Sequence, residues 1–158
     1  MRLEWMGEYR DVVEALIHYC NVYATVYKKE RMTFQGVKYS YAQIQVLEYL
    51  LENEERQQNM SSIANRLGII RSNFTKIVSR LVEKGLLEKC YMPGSRKDML
   101  ITVTDTGRAL YEDYAKSIYN RHFSRMFEEL KHIPPEYYDV ISESLYAALH
   151  RSGYPRKQ

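Results

Sequence analysis

Asn59-Met60-Ser61-Ser62-Ile63-Ala64-Asn65-Arg66-Leu67-Gly68-Ile69-Ile70-Arg71-Ser72-Asn73-Phe74-Thr75-Lys76-Ile77-Val78-Ser79-Arg80-Leu81-Val82-Glu83-Lys84-Gly85 is the stretch that decides the fold. Asn59 is an N-cap residue, Ile63, Ala64 and Leu67 recur at helical spacing, and Gly68 is a C-terminal stop. A second helix over Ile70–Lys84 places Ile70, Phe74, Ile77, Val78 and Leu81 on one side, and Gly85 closes it. Two short helices are thus joined by a tight turn at Gly68-Ile69-Ile70.

Downstream the period changes from helical to strand-like. Leu86–Met92 and Met99–Thr104 alternate as strands around Pro93-Gly94-Ser95-Arg96-Lys97-Asp98, which makes a hairpin with a basic tip. Helix-turn-helix followed at once by such a hairpin is a winged helix-turn-helix. Thr104 can cap a long helix from Asp105 to about His132, and Pro134-Pro135 interrupts it before a last helix over Glu136–Arg151.

Upstream, Val13, Leu16, Ile17, Cys20, Tyr23, Ala24 and Tyr27 share one face of a helix over residues 7–30. The segment Arg31–Tyr39, with Gly36, breaks that pattern and reads as a connection. Ser40-Tyr41-Ala42-Gln43 has capping-box form and precedes a helix with Ile44, Leu47, Leu50 and Leu51 on its apolar stripe. The expected architecture is mainly α with a small β-wing. It is a single domain over 1–158, with a winged core at 40–104 flanked by helical regions at 7–30 and 105–151 that carry dimerisation.

Charge is unevenly placed. The 158 residues hold 23 Lys+Arg and 20 Asp+Glu, a net +3. Within residues 59–97 alone, Arg66, Arg71, Lys76, Arg80, Lys84, Lys89, Arg96 and Lys97 face only Glu83 and Glu88, a local +6, so the remainder sums to −3. No acid occurs between Ile70 and Val82. Opposite its apolar stripe the second helix of the pair carries Arg71, Ser72, Asn73, Thr75, Lys76, Ser79 and Arg80, side chains suited to phosphates and base edges. With Arg96 and Lys97 on the wing, these form the candidate site for double-stranded DNA. A winged helix used to dock another protein is the competing reading; it would normally present a more apolar or acidic face.

The ordered motifs Ile63-Ala64-Asn65-Arg66-Leu67-Gly68-Ile69, Val78-Ser79-Arg80-Leu81-Val82-Glu83-Lys84-Gly85-Leu86-Leu87 and Thr102-Val103-Thr104-Asp105-Thr106-Gly107 resemble the multiple-antibiotic-resistance regulator (MarR) family of transcription regulators. The resemblance covers roughly Ser40 to Tyr114 by motif and the whole chain by helix order. It implies a homodimer, commonly a repressor, on a pseudo-palindromic operator, with Arg96 as the wing arginine at the minor groove. Ser95 stands where that family usually has Asp.

Fifteen tyrosines accompany one Trp and four Phe. Tyr pairs a large apolar body with a hydroxyl that needs a partner, so half-buried helix interfaces and a phenol-lined ligand cavity both account for them. Tyr19, Tyr23, Tyr27, Tyr41, Tyr111 and Tyr114 are the candidate set for a small aromatic or phenolic effector, the ligand class similar regulators sense. Cys20 raises a redox reading, because regulators resembling hydroperoxide sensors carry a reactive first-helix cysteine. The register places Tyr19 there, however, and Cys20 on the apolar face reads as a small buried hydrophobe.

Other classes find no support. No Cys-x-x-Cys, Gly-x-Ser-x-Gly, phosphate-cradling glycine loop or His-Glu-x-x-His is present, and His18, His122, His132 and His150 lack ligand spacing, so neither enzyme, metal site nor cofactor is expected. The opening Met1-Arg2-Leu3-Glu4-Trp5 lacks signal-peptide form, and no apolar run reaches membrane-spanning length. Two distant cysteines suit a reducing compartment, and a cytoplasmic location is expected.

Overall fold

A computed structural model describes residues 4–148. Contacts divide the chain into two compact units, Met1–Ile44 and Gln45–Gln158.

In the first unit a 3₁₀ segment, Glu4–Tyr9, is interrupted at Gly7 (φ 50) and leads into α1 (Arg10–Val26). α1 is shorter than the expected 7–30: beyond Tyr27, whose N–H donates to Tyr23 O at 2.9 Å, Lys29 N–H turns back to Val26 O at 3.0 Å. None of its residues is buried, so the helical period is present but the shared face is unburied. Cys20 in particular is exposed, which corrects the expectation of a buried small hydrophobe.

The connection Arg31–Tyr39 is itself structured, which the sequence reading missed. β1 (Met32–Phe34) and β2 (Val37–Tyr39) pair antiparallel, Met32 with Tyr39 and Phe34 with Val37. Gln35 and Gly36 form the two-residue turn, both at positive φ (47° and 84°), the geometry that matches strand twist. α2 (Tyr41–Glu52) then begins on the expected capping box. Gln43 N–H donates to Ser40 Oγ at 3.4 Å and Ser40 N–H to Gln43 Oε1 at 3.1 Å, both groups buried. Ala42 N–H donates to Tyr27 O at 3.1 Å, tying the start of α2 to the end of α1.

The second unit holds the remainder of α2, α3 (Met60–Arg66), α4 (Arg71–Glu83), β3 (Leu87–Tyr91), β4 (Met99–Val103) and α5 (Asp105–Ile118). α4 packs on α3 and β3, while α3 and α5 both reach β4. The core is Val46, Leu47 and Leu50 from α2, Ile63 and Ala64 from α3, Phe74, Val78 and Leu81 from α4, Leu86, Leu87 and Ile101 from the hairpin and Leu110 from α5. Ile70 departs from its expected place on the apolar stripe. It is the N-cap residue, outside the helix (φ −58, ψ 132), and its side chain is 69% exposed.

The long helix expected over Asp105–His132 runs without a gap over 105–130 but changes type midway. α5 passes through a π-helical turn, Tyr119–Phe123, into α6 (Ser124–Leu130). A short 3₁₀ turn, Pro135–Tyr137, starts on proline as expected, and α7 (Tyr138–Ala148) follows. Leu149–Arg151, the expected end of the last helix, lie outside the described residues. α6 and α7 have no buried residues. Among the described residues no helix is long and apolar enough to cross a membrane.

Candidate nucleic-acid interface

The reading head is shaped by two helix ends of the same kind. After α3, Gly68 (φ 66) donates to Asn65 O at 3.1 Å while Ile69 N–H reaches Ala64 O at 2.9 Å. After α4, Gly85 (φ 68) donates to Val82 O at 2.9 Å and Leu86 N–H to Leu81 O at 2.9 Å. Both are paired 5→2 and 6→1 bonds around a left-handed glycine, which reverse the chain within two residues. At the other end of α3, Ser62 N–H donates to Asn59 Oδ1 at 3.0 Å, the expected cap.

Burial of Phe74, Val78 and Leu81 at i, i+4 and i+7 sets the rotation of α4. Arg71, Ser72, Thr75, Lys76 and Arg80 are therefore exposed, with Asn73 and Ser79 half-buried along the edges of that face. The hydroxyl of Thr75 donates to Arg71 O at 3.0 Å, so its proton is directed along its own helix, leaving its lone pairs outward.

The wing pairs Leu87 with Val103 through Tyr91 with Met99. Its tip is ordered by Ser95. The Ser95 hydroxyl accepts from the N–H groups of Lys97 (3.2 Å) and Asp98 (3.0 Å) and donates to Asp98 Oδ2 at 3.0 Å. Met92 N–H donates to Asp98 O at 2.9 Å, closing the loop below. Arg96 and Lys97 are held exposed on this turn. Ser-x-x-Asp at this spacing is the sequence signal for such a turn.

The wing root is a three-way joint at Thr104. Its hydroxyl donates to Gly85 O at 2.7 Å and accepts from Gly107 N–H at 3.1 Å, and its own N–H donates to Leu86 O at 3.2 Å. One residue thus ties the end of α4, the start of β3 and the first turn of α5. Gly107 is buried against Leu86, where a side chain would not fit.

Two further pairings were not legible in the sequence. Arg108 on α5 forms an ion pair with Glu54 in the segment after α2. It borders a cleft of about 190 Å³ with Tyr49, Asn53, Arg56, Ile63 and Ile101 on its walls. Tyr111 on α5 is hydrogen-bonded to Glu48 on α2. Desolvation first, then the Glu48 charge and that hydrogen bond, push the phenol up to about 12. Desolvation, with the Glu52 charge nearby, also raises the Glu48 carboxyl, which the Tyr111 bond only partly offsets.

The six candidate effector tyrosines fall into two groups. In the first unit, Tyr19 and Tyr23 stack (centroids 5.7 Å apart, planes 12° apart), and Tyr23 also meets Tyr27 at 5.2 Å and Tyr41 at 6.2 Å. Desolvation raises the Tyr27 phenol. In the second unit, Tyr111 and Tyr114 lie 6.3 Å apart, with Tyr114 buried. Cys20 and Cys90 are both exposed free thiols.

The MarR family model matches residues 35–96, from the turn of the first hairpin to the wing arginine, and spans the whole of α3, α4 and β3. The match covers the helix-turn-helix and the first strand of the wing, under half of the chain. No curated protein sequence is significantly similar to the chain. Among solved structures, the transcriptional repressor CouR bound to a 23-mer DNA duplex is similar at 26% identity and a TM-score of 0.62, over 92% of this chain and 97% of that one. The PcaV transcriptional regulator from Streptomyces coelicolor, in complex with its natural ligand, has 19% identity and a TM-score of 0.61 over 94% and 96% of the two chains. Streptococcus pneumoniae FabT in complex with DNA has 14% identity and a TM-score of 0.61 over 90% and 95%. These last two likenesses bear on the fold. The motif that opens α5 has a structural cause: Thr104 supplies the joint and Gly107 the space beside Leu86.

Proposed function

We propose that the chain is a DNA-binding transcription regulator that acts as a homodimeric repressor, with α4 in the major groove and the hairpin tip at the minor groove. The observation that carries this is the α4 face: Arg71, Ser72, Thr75, Lys76 and Arg80 exposed together, with no acid between Ile70 and Val82. Arg71, Lys76 and Arg80, with Arg96 and Lys97, supply phosphate contacts; Asn73 and Ser72 are the base readers, Asn73 through a bidentate bond to adenine. CouR and FabT, each solved with DNA, support the reading, and an exposed α4 face that is basic and polar, not apolar or acidic, makes it a better account than a protein-docking head.

Dimerisation is supported by the apolar surface that the flanking helices leave uncovered. Val12, Ile17 and Val22 on α1, Met126 and Phe127 on α6, and Val140, Leu145 and Tyr146 on α7 are all exposed. Surfaces of this kind mark association sites. A two-fold dimer reads half-sites about one helical turn apart, ~10–10.5 bp centre to centre. On this reading the winged core spans 40–104 and dimerisation runs through 7–30 and 105–151, in one functional domain acting in the cytoplasm. The clustered phenols of Tyr19, Tyr23, Tyr27 and Tyr41 favour a small aromatic effector, and PcaV, solved in complex with its natural ligand, supports a ligand-responsive regulator of this fold. Tyr111 has a weaker claim, since its hydroxyl is engaged by Glu48.

Fluorescence anisotropy of the full chain on DNA from its own upstream intergenic region and on random duplex tests this directly. Preference for the upstream duplex is expected; absence of binding to either at low salt would refute it. Sedimentation as a monomer at micromolar protein would refute the dimer.

A further inference from the structure

We propose that the β1–β2 hairpin and the run leading into it form a second basic contact surface, which holds phosphates of the bound duplex without reading bases. The inference rests on the DNA-binding reading above and adds a contact that α4 and the wing do not supply. Between Tyr27 and Tyr39 the chain carries Lys28, Lys29, Arg31 and Lys38 against one acid, Glu30, a local +3. With the +6 of residues 59–97 against a total of +3, the rest of the chain sums to −6. These two segments are net basic, whereas the rest of the chain, with 11 Lys and Arg against 17 Asp and Glu, is net acidic.

The fold presents the second segment in an orderly way. The hairpin alternates, with Met32, Phe34, Val37 and Tyr39 turned to the covered face while the cross-strand pair Thr33 and Lys38 lies on the exposed one. Lys28, Lys29 and Arg31 are exposed ahead of it. Glu30, the one acid, accepts a hydrogen bond from the buried Gln43 side chain at 3.1 Å and is thereby drawn toward the start of α2. The backbone beneath the cations is fixed by the β1–β2 ladder, by Lys29 N–H to Val26 O (3.0 Å) and by Arg31 N–H to Lys29 O (3.0 Å). Cations on a fixed backbone lose less freedom on binding than cations on a loose loop. A polyanion that the same chain already binds is the partner this charge fits.

The test is the salt dependence of binding to a random-sequence duplex by the full chain, comparing wild type with the combined Lys28→Gln, Lys29→Gln, Arg31→Gln variant. Each phosphate contact contributes ~0.9 to the slope of log K against log salt, so three lost contacts shallow it by up to ~2.7 per protomer engaged. Over the fourfold rise from 50 to 200 mM salt, wild type then loses up to ~40-fold more affinity than the variant. The charge-retaining Lys28→Arg, Lys29→Arg variant should keep the wild-type slope, which separates charge from folding. An unchanged slope in the Gln variant, with Arg96→Ala still shallowing it, would overturn the hairpin contact and leave the reading head standing; the basic run would then serve another partner. Failure of wild type to bind any duplex would instead overturn the DNA-binding reading, and the hairpin contact with it.

Discussion

Gly107→Ala puts the wing root to a quantitative test. A Cβ at this position would overlap the carbonyl oxygen of Leu86 and stand 2.8 Å from Val103 Cγ1. The first obstacle is backbone, so no rotamer change relieves it. The first turn of α5 has to back away from Leu86, which stretches the bonds that converge on Thr104: its N–H to Leu86 O at 3.2 Å and its hydroxyl to Gly85 O at 2.7 Å. Overpacking of this kind costs ~1–3 kcal/mol, and each weakened hydrogen bond adds ~0.5–1.5 kcal/mol. Replacing Gly by Ala inside a helix returns ~0.5–1 kcal/mol, and less in a first turn. The expected balance is a loss of about 2–4 kcal/mol from the three terms together. For a chain of this size that corresponds to a Tm lowered by ~5–15 °C. Urea unfolding followed by circular dichroism, with the slope m compared between variants, measures it. A variant as stable as wild type, or more stable, would show that the helix gain dominates and that the packing of Gly107 on Leu86 is not the reason glycine stands there.

Three other outcomes are expected. Asn59→Ala removes the bond to Ser62 N–H at the start of α3 and should cost ~1 kcal/mol in urea unfolding, with Asn59→Asp retaining most of it. Asn73→Ala should cost ~1–3 kcal/mol of DNA affinity on the preferred site and little on random duplex, whereas Arg96→Ala should weaken both and shallow the salt slope; equal losses for Asn73→Ala on both duplexes would remove it as a base reader. The Glu48–Tyr111 pair makes stability pH-dependent at both ends. The folded state holds both protons more tightly than the unfolded chain. Each group's contribution is therefore fully present below its ordinary pKa and lost as pH rises through its raised folded value, for Tyr111 between 10 and about 12. Glu48→Gln should raise stability at neutral pH and flatten its dependence on mildly acidic pH. Tyr111→Phe should remove part of the alkaline loss, followed by tyrosinate absorbance and unfolding together.

Features whose physics is local were legible from residue types at fixed spacing. The capping box at Ser40 and Gln43, the Asn59 and Thr104 caps and the reversals at Gly68 and Gly85 each involve groups within five residues of one another, so composition at fixed spacing suffices. The rotation of α4 was equally legible, because Phe74, Val78 and Leu81 are apolar at helical spacing and the opposite face contains no acid. Tertiary structure decided the rest. Periodicity says which side chains share a face, not whether the chain covers that face, so Cys20 reads as buried and is exposed, and the α1 stripe is only half-covered, at Val13, Leu16 and Tyr27. The same period was carried one residue too far at Ile70, where the backbone is no longer helical. The three-residue strands β1 and β2 are too short for alternation to register; only the ladder between them makes them strands. Long-range pairings such as Glu54 with Arg108, Glu48 with Tyr111 and the Gly107 space beside Leu86 depend on how α5 lies on the head. Nothing in the local chemistry of either partner specifies the other, and only the packed fold brings them together.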